Sequence, residues 1–278
     1  MIVDFHTHIF PTRVRAERER YIANDCRFAA MYGSEQARIV TAEELVASMD
    51  RDGVDVAVAA SFNWSSADVC RETNDYIIQS VKAFPQRLVG FGAVPLGPPD
   101  GAIEEIERCA RAGMKGMGEL RPDQEFFTGR GGRVAAIMAH LGRNNLALLL
   151  HCSEPVGHQY PGKGDITPEC LYPFITAFPG QTIICAHWGG GLPFYALMPE
   201  VRKALQNVYF DSAASPYLYR PDIYRAVSQM VGPDKVLFGS DYPLLAQKRA
   251  MDEVRASALS DADKALILGE NARKVLGL

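Results

Sequence analysis

Short apolar runs alternate along this chain with longer segments whose apolar positions recur every three or four residues, the pattern of strands alternating with amphipathic helices. The first run, Ile2 to Phe5, reads as a buried strand, and further strands are expected over 54–60, 87–95, 114–120, 146–151, 182–187, 208–212 and 235–241. Between them the spacing predicts helices over 41–52, 66–84, 100–112, 134–144, 167–178, 192–205 and 219–231, with a closing helix over 261–278. Thr41 with Glu44 three positions on forms a capping box, and Leu45, Val46 and Met49 make the apolar stripe behind it. Gly113 stops the helix that carries Ile103, Ile106 and Ala110 on one face. The stretch 9–40 is polar and Arg-rich, too long for an ordinary connection, and reads as a lid, a partner surface or a pair of surface helices.

Eight strands roughly thirty residues apart, each followed by a helix, are the arithmetic of an α/β protein built as a (β/α)8 barrel, a TIM barrel, in one domain over 1–278. The rival is a doubly wound open sheet. No G-x-G-x-x-G follows a strand, which speaks against it.

With 278 residues and 47% hydrophobic content the chain is long enough for one barrel core. Its net charge of −4 gives no basic surplus, so neither nucleic acid nor an anionic lipid surface is an expected partner. Cys26, Cys70, Cys109, Cys152, Cys170 and Cys185 form no C-x-x-C pair, which points away from a zinc ribbon or disulfide framework and towards a reduced, cytoplasmic setting. No run has the length of a membrane span, and with no basic segment followed by an apolar stretch ahead of the first strand a leader is not expected. A homo-oligomer is left open.

Candidate chemistry gathers at strand ends. In Asp4-Phe5-His6-Thr7-His8, alternate residues share a side, so His6 and His8 can reach one metal ion together. Four later runs finish on ligand-type residues: Glu119, His151, His187 and Asp241. In a barrel these ends converge on one face, where active sites lie. One ion could take His6, His8 and Asp241, and a second His151 and His187, with Glu119 bridging both or serving one. In a single-ion version His6, His8, His151 and Asp241 dominate and His187 is free to act on substrate. Asp241 can also be the base that takes the proton of metal-bound water. The expected cofactor is a divalent metal, zinc first, with manganese or iron admitted by the same donors, as one or two ions.

Residues in the loops beyond the strand ends are expected to ring a pocket for a small-molecule substrate: Asn63, Trp64, Arg121, His158, Tyr160, Trp188 and Tyr242, with Arg121 the candidate to grip a carboxylate or phosphate. His140 reads as a helix-surface residue. Lys115 and Lys235 stand at strand starts, on the face opposite the presumed site, which disfavours Schiff-base chemistry.

The motif Asp4 to His8, His151, His187-Trp188-Gly189-Gly190, Gly239-Ser240-Asp241-Tyr242-Pro243 and the stretch from Gly269 to Leu276 together resemble the metal-dependent amidohydrolase superfamily of TIM barrels. Within it they resemble the amidohydrolase-related group, which includes aminocarboxymuconate semialdehyde decarboxylase. Many members carry a carboxylated lysine at the end of strand four. Here Gly118-Glu119-Leu120 stands there, similar to phosphotriesterase homology proteins and TatD-type nucleases, a likeness that implies two metals. The decarboxylase branch, by resemblance, uses one zinc and keeps the strand-six histidine for catalysis.

The leading expectation is therefore a metal-dependent hydrolase of amidohydrolase type that activates water against an amide, lactone or ester. The alternatives are a non-oxidative decarboxylase or hydratase of a small carboxylic acid, a TatD-like phosphodiesterase, and a non-enzymatic binding barrel.

Overall fold

The computed structural model describes residues 1–62, 64–95, 99–122, 126–127 and 132–278, so Asn63, one of the expected pocket residues, lies outside the described residues. Eight parallel strands form one sheet in sequence order: β1 (Val3–His8), β2 (Val56–Ala60), β3 (Leu88–Gly92), β4 (Gly116–Leu120), β5 (Ala147–Leu150), β6 (Ile183–Cys185), β7 (Val208–Asp211) and β8 (Val236–Leu237). The sheet closes on itself beyond β8. Phe5 N donates to Phe238 O at 2.8 Å, Asp241 N to His6 O at 2.9 Å and His8 N to Tyr242 O at 2.7 Å. The fold is the (β/α)8 TIM barrel that the alternation of runs predicts.

Two layers of apolar side chains hold it. Val3, Phe5, Val58, Phe91, Leu149, Ile184 and Leu237 fill the barrel, and Ala272 and Leu276 of the closing helix Asn271–Leu276 join that cluster. Asn271 fixes the closing helix by donating from Nδ2 to Pro233 O and Val236 O, both at 2.8 Å. Outside the barrel, Leu45, Met49, Ile77, Ile106, Leu141, Phe174 and Val227 pack the helices onto the strands.

The alternation of sides slips in two strands, and both slips serve the mouth of the barrel. The β1–β2 register shifts between Asp4 and Thr7, and the β4–β5 register between Met117 and Leu120. Phe5 therefore packs on Phe91 inside the barrel while its neighbour His6 also reaches across the interior to Asp211. A bulge that re-aims side chains next to a site does this work.

Strands six and eight are shorter than the sequence predicts: their last expected residues leave the extended region, and in β8 Phe238 N and Gly239 N already donate outside the ladder, to Ile267 O at 2.9 Å and Ser212 Oγ at 3.1 Å. His187 has φ 55° and Asp241 φ 61°, left-handed values that end a ladder. Left-handed values continue through Trp188, Gly189, Gly190 and Gly191, so the helix expected over 192–205 is instead a tight 3₁₀ segment, His187–Leu197, followed by the helix Pro199–Ala204. At Gly190 a Cβ would stand 2.2 Å from Ser153 O, so only glycine lets these two loops touch.

The stretch 9–40 folds as three short helices, Thr12–Ala16, Arg18–Asn24 and Cys26–Tyr32. They are stacked on an aromatic cluster in which Phe28 lies 4.7 Å from Trp64 and 4.8 Å from Tyr32. A further helix, Gln247–Ala256, was not expected; its apolar stripe is only Ala250, Met251 and Val254 in a charged stretch. No helix among the described residues is long and apolar enough to cross a membrane.

Candidate metal centre

The loop-bearing end of the barrel holds a cavity of about 370 Å³. Its floor is made by His8, Glu119, His151, His187 and Asp241, with His6 buried directly beneath. Its walls include Met31, Tyr32, Ala37 and Arg38 from the stretch 9–40, His158, Tyr160, Pro161 and Gly162 after β5, Ala214, Tyr217 and Leu218 after β7, and Pro243 and Leu244 after β8.

All six side chains read as ligands from the sequence meet here. His6 Nε2 lies 3.1 Å from His8 Nε2, and Asp241 Oδ1 lies 3.7 Å from the former and 3.4 Å from the latter. Glu119 Oε2 is 3.6 Å from both nitrogens. Glu119 Oε1 faces the other pair, 2.8 Å from His151 Nδ1 and 3.1 Å from His187 Nε2. Two triads of close ligand atoms result, His6–His8–Glu119 and Glu119–His151–His187.

Donor chemistry favours a cation among these atoms. His6 Nδ1 lies 2.8 Å from Asp211 Oδ2, an acceptor, so the ring proton belongs there and Nε2 turns a lone pair towards His8 and both carboxylates. Ligand atoms around one ion at about 2.0–2.2 Å stand roughly 2.9–3.5 Å apart, close to the separations of His6, His8 and Asp241. Asp211 stands where an outer carboxylate would orient a histidine that ligates a cation. Sequence reading passed over it, although it ends the apolar run of β7 just as Asp241 follows that of β8.

The electrostatics are those of carboxylates and imidazoles that hold one another's charge against burial. Burial penalises the charged form of Glu119, yet His151 and His6 hold its carboxyl well below the usual range. Burial likewise opposes ionisation of Asp241, but the hydrogen bond from His8 and the charges of His6 and His187 bring it to about 2. Burial works against a proton on His6 and on His187; Asp211 and Glu119 nevertheless raise the first well above its ordinary value, and Glu119 raises the second to about 9. His151 moves down, because burial outweighs Glu119 there. Asp4, pushed up to about 6 by burial, accepts from Ser240 N at 2.9 Å, Ser240 Oγ at 2.6 Å and Gln247 Nε2 at 2.8 Å, and so holds the backbone next to Asp241.

Several expected pocket residues lie elsewhere. Trp188 is fully buried, donates from Nε1 to Ser215 Oγ at 3.0 Å and packs edge-on against Tyr224, because the left-handed turn after β6 swings it into the core. Trp64 is buried in the aromatic cluster. Tyr242 is buried under Arg38, whose guanidinium is 5.5 Å from its ring, and its neighbours Asp241 and Pro243 line the cavity instead. Arg121 points along the loop after β5, donating from Nη2 to Lys163 O at 2.9 Å. His158 and Tyr160 do line the cavity. Tyr32 and Arg38 were not singled out by the sequence; a long stretch without a motif carries no signal for which of its residues turn inward. His140 pairs with Glu107 on the helix surface at 2.6 Å.

A sequence model described as Amidohydrolase matches residues 3–278. Among curated proteins, the chain is 22% identical to 2-amino-3-carboxymuconate-6-semialdehyde decarboxylase of Dictyostelium discoideum, over 99% of this chain and 91% of that protein. It is 23% identical to gamma-resorcylate decarboxylase of Rhizobium sp. (strain MTP-10005) over 76% of each. Among solved structures, 5-carboxyvanillate decarboxylase from Sphingomonas paucimobilis superposes with a TM-score of 0.81 at 19% identity, covering 100% of this chain and 99% of that one. A dihydroxybenzoic acid decarboxylase from Polaromonas sp. JS666, with bound manganese and the inhibitor 2-nitroresorcinol, gives 0.77 at 18%, covering 100% and 97%.

These relatives correct the expectation of a hydrolase. They are decarboxylases, and the histidine–carboxylate floor from which hydrolysis was argued serves either chemistry, since a cation can hold a substrate's oxygens as well as a water. The preference for zinc is not supported either, because the ion named with the Polaromonas structure is manganese and these donors accept both. With the match running from the first strand to the last residue, the chain belongs to the Amidohydrolase family.

Proposed function

We propose that this chain is a metal-dependent, non-oxidative decarboxylase of a small aromatic acid. The observation that carries the reading is the likeness to a decarboxylase along 99% of the chain. The cavity agrees with it in size and in its mixture of apolar wall and charged floor.

His6, His8 and Asp241 would hold a divalent cation, for which their separations suit. When bound, the cation supplies fixed positive charge that fastens the substrate's oxygens and draws electron density from the ring. Tyr32, Tyr217, Leu218 and Leu244 flank an aromatic ring and keep water from the reacting carbon. Arg38 offers a guanidinium at the rim for an anionic substituent.

We assign proton transfer to Asp241, whose side chain is 14% exposed against 7% or less for the other five. Its carboxylate takes the proton of a ring hydroxyl and passes it to the ring carbon that bears the substrate's carboxylate. The bond from that carbon to the carboxylate then breaks, its electron pair returns to the ring, and carbon dioxide leaves. No electron acceptor is consumed. His187, held between Glu119 Oε1 and Ala213 O, keeps the floor of the cavity in register.

The test is carbon dioxide release from gamma-resorcylate and 5-carboxyvanillate by protein loaded with manganese or zinc, run in deuterium oxide. Product bearing one deuterium at the former carboxyl carbon is expected. Absence of carbon dioxide from a broad panel of hydroxybenzoates with fully loaded protein would sink the reading.

A further inference from the structure

Tyr32 ends the helix Cys26–Tyr32 and stands in the cavity wall, 7% exposed. Its ring is held on three sides: it stacks on Phe28 at 4.8 Å and meets Phe10 and Phe62 edge-on at 5.2 and 6.0 Å. Its backbone is held as well. Arg18 donates from Nε to Tyr32 O at 2.9 Å. Asp25 Oδ1 caps the helix by accepting from Arg27 N and Phe28 N at 3.0 Å, and its Oδ2 accepts from Ser65 N at 2.7 Å, which ties the helix to the loop after β2. The Tyr32 hydroxyl, however, bonds no group among the described residues. Tyr160, in the same cavity wall, already donates its hydroxyl to Glu154 Oε2 at 2.9 Å. Burial, together with the charges of Asp241 and Glu119, pushes the Tyr32 phenol up, so it keeps its proton and can donate.

A substrate carboxylate brought to this floor meets two carboxylates, Glu119 and Asp241, that only accept. Its own lone pairs need donors, because a charged group left without hydrogen bonds in a buried site is costly. Tyr32 offers one from a fixed direction, on a ring too closely packed to turn aside. We propose that Tyr32 orients the substrate and selects for an acid, its hydroxyl donating to the carboxylate that is to be lost. The assignment rests on the reading of the chain as a decarboxylase of aromatic acids. The hydrogen bond is made to the bound acid and given up as neutral carbon dioxide leaves, so it favours the acid over the product and weighs on KM rather than on kcat.

Two ligands that differ in the carboxylate test it by calorimetry on manganese-loaded protein. One is 2,6-difluorobenzoate, which has no ring hydroxyl to give up and so does not turn over; the other is resorcinol, which has no carboxylate. Tyr32→Phe keeps the stacked ring and should weaken the first about 10- to 100-fold, the loss expected of one hydrogen bond to a charged group, while changing the second less than about twofold. In turnover of gamma-resorcylate or 5-carboxyvanillate, KM should rise by a similar factor with kcat within about threefold. Equal weakening of both ligands would make Tyr32 a packing residue alone and overturn the proposal, as would unchanged affinity for the acid; carbon dioxide release by the wild type would leave the decarboxylase reading standing in either case. Wild-type protein that releases no carbon dioxide across the hydroxybenzoate panel and binds neither ligand would bring down both.

Discussion

Asp211 Oδ2 stands 2.8 Å from His6 Nδ1, while Oδ1 of the same carboxylate accepts from His187 N and Ala213 N, both at 3.0 Å. One fully buried side chain thus sets the orientation of a histidine on β1 and the backbone that delivers a histidine after β6. Asp211→Asn keeps the shape but offers an amide to the His6 ring. A 10- to 100-fold loss of metal affinity is expected, on the order seen when such outer partners are removed, read by competition with a chelator. Unchanged affinity would show that His6 needs no such hold.

Asp241→Asn separates holding the cation from moving the proton. The amide oxygen can still ligate, so metal content should fall only modestly, while turnover should drop by about 10²- to 10⁴-fold, the usual range for a lost acid–base group. Comparable losses in both would place Asp241 in binding alone.

Gly190→Ala should be among the most damaging single-methyl changes in the chain. The new Cβ would meet Ser153 O at 2.2 Å, at φ 58°, and Ser153 follows His151 by two residues. A loss of roughly 3 kcal/mol or more is expected from the strain and the clash together, with weakened metal binding, measured by denaturant unfolding and metal content. Native stability in this variant would mean that the two loops part without cost.

Acid should find a weak point away from the metal centre, at Glu105. Burial opposes its ionisation, but Arg108, bonded at 2.6 and 2.8 Å, and Asn74, at 2.7 Å, hold its pKa below the ordinary value. Asn74 also bonds Ala93 N and O at 2.8 Å, so this carboxylate ties two helices to the exit of β3. Its folded pKa is depressed, so its contribution is full above the unfolded value of about 4.3 and fades as pH falls through the lower folded value. Glu105→Gln should cost about 1–3 kcal/mol at pH 7, and the gap between wild type and variant should shrink below pH 4.5 in thermal melts. A gap that stays constant to pH 3 would remove the charge from the explanation.

The barrel was legible because each strand is an apolar run and each helix an amphipathic one, signals that survive without any tertiary information. The six ligand-type residues were legible for a related reason: five of them close or directly follow such a run, and His8 follows His6 by two. What the sequence could not carry was direction. Trp188 follows a floor histidine in sequence yet is turned into the core by left-handed backbone, whereas Tyr32, in a stretch with no motif, faces the cavity. Hydrolysis was the wrong choice for a different reason. A set of imidazoles and carboxylates specifies a cation, and the bond to be broken is chosen by walls that have no period to read.

The slips in β1 and β4 have a consequence for how such a protein can change. Strict alternation commits every second side chain to packing, leaving no position where a new polar group could enter the lumen without opening a hole. A local miscount frees one place on each of two staves while the remaining six keep their pattern. Chemistry at the rim can then be rewritten, ligand by ligand, over a scaffold whose own lettering stays untouched.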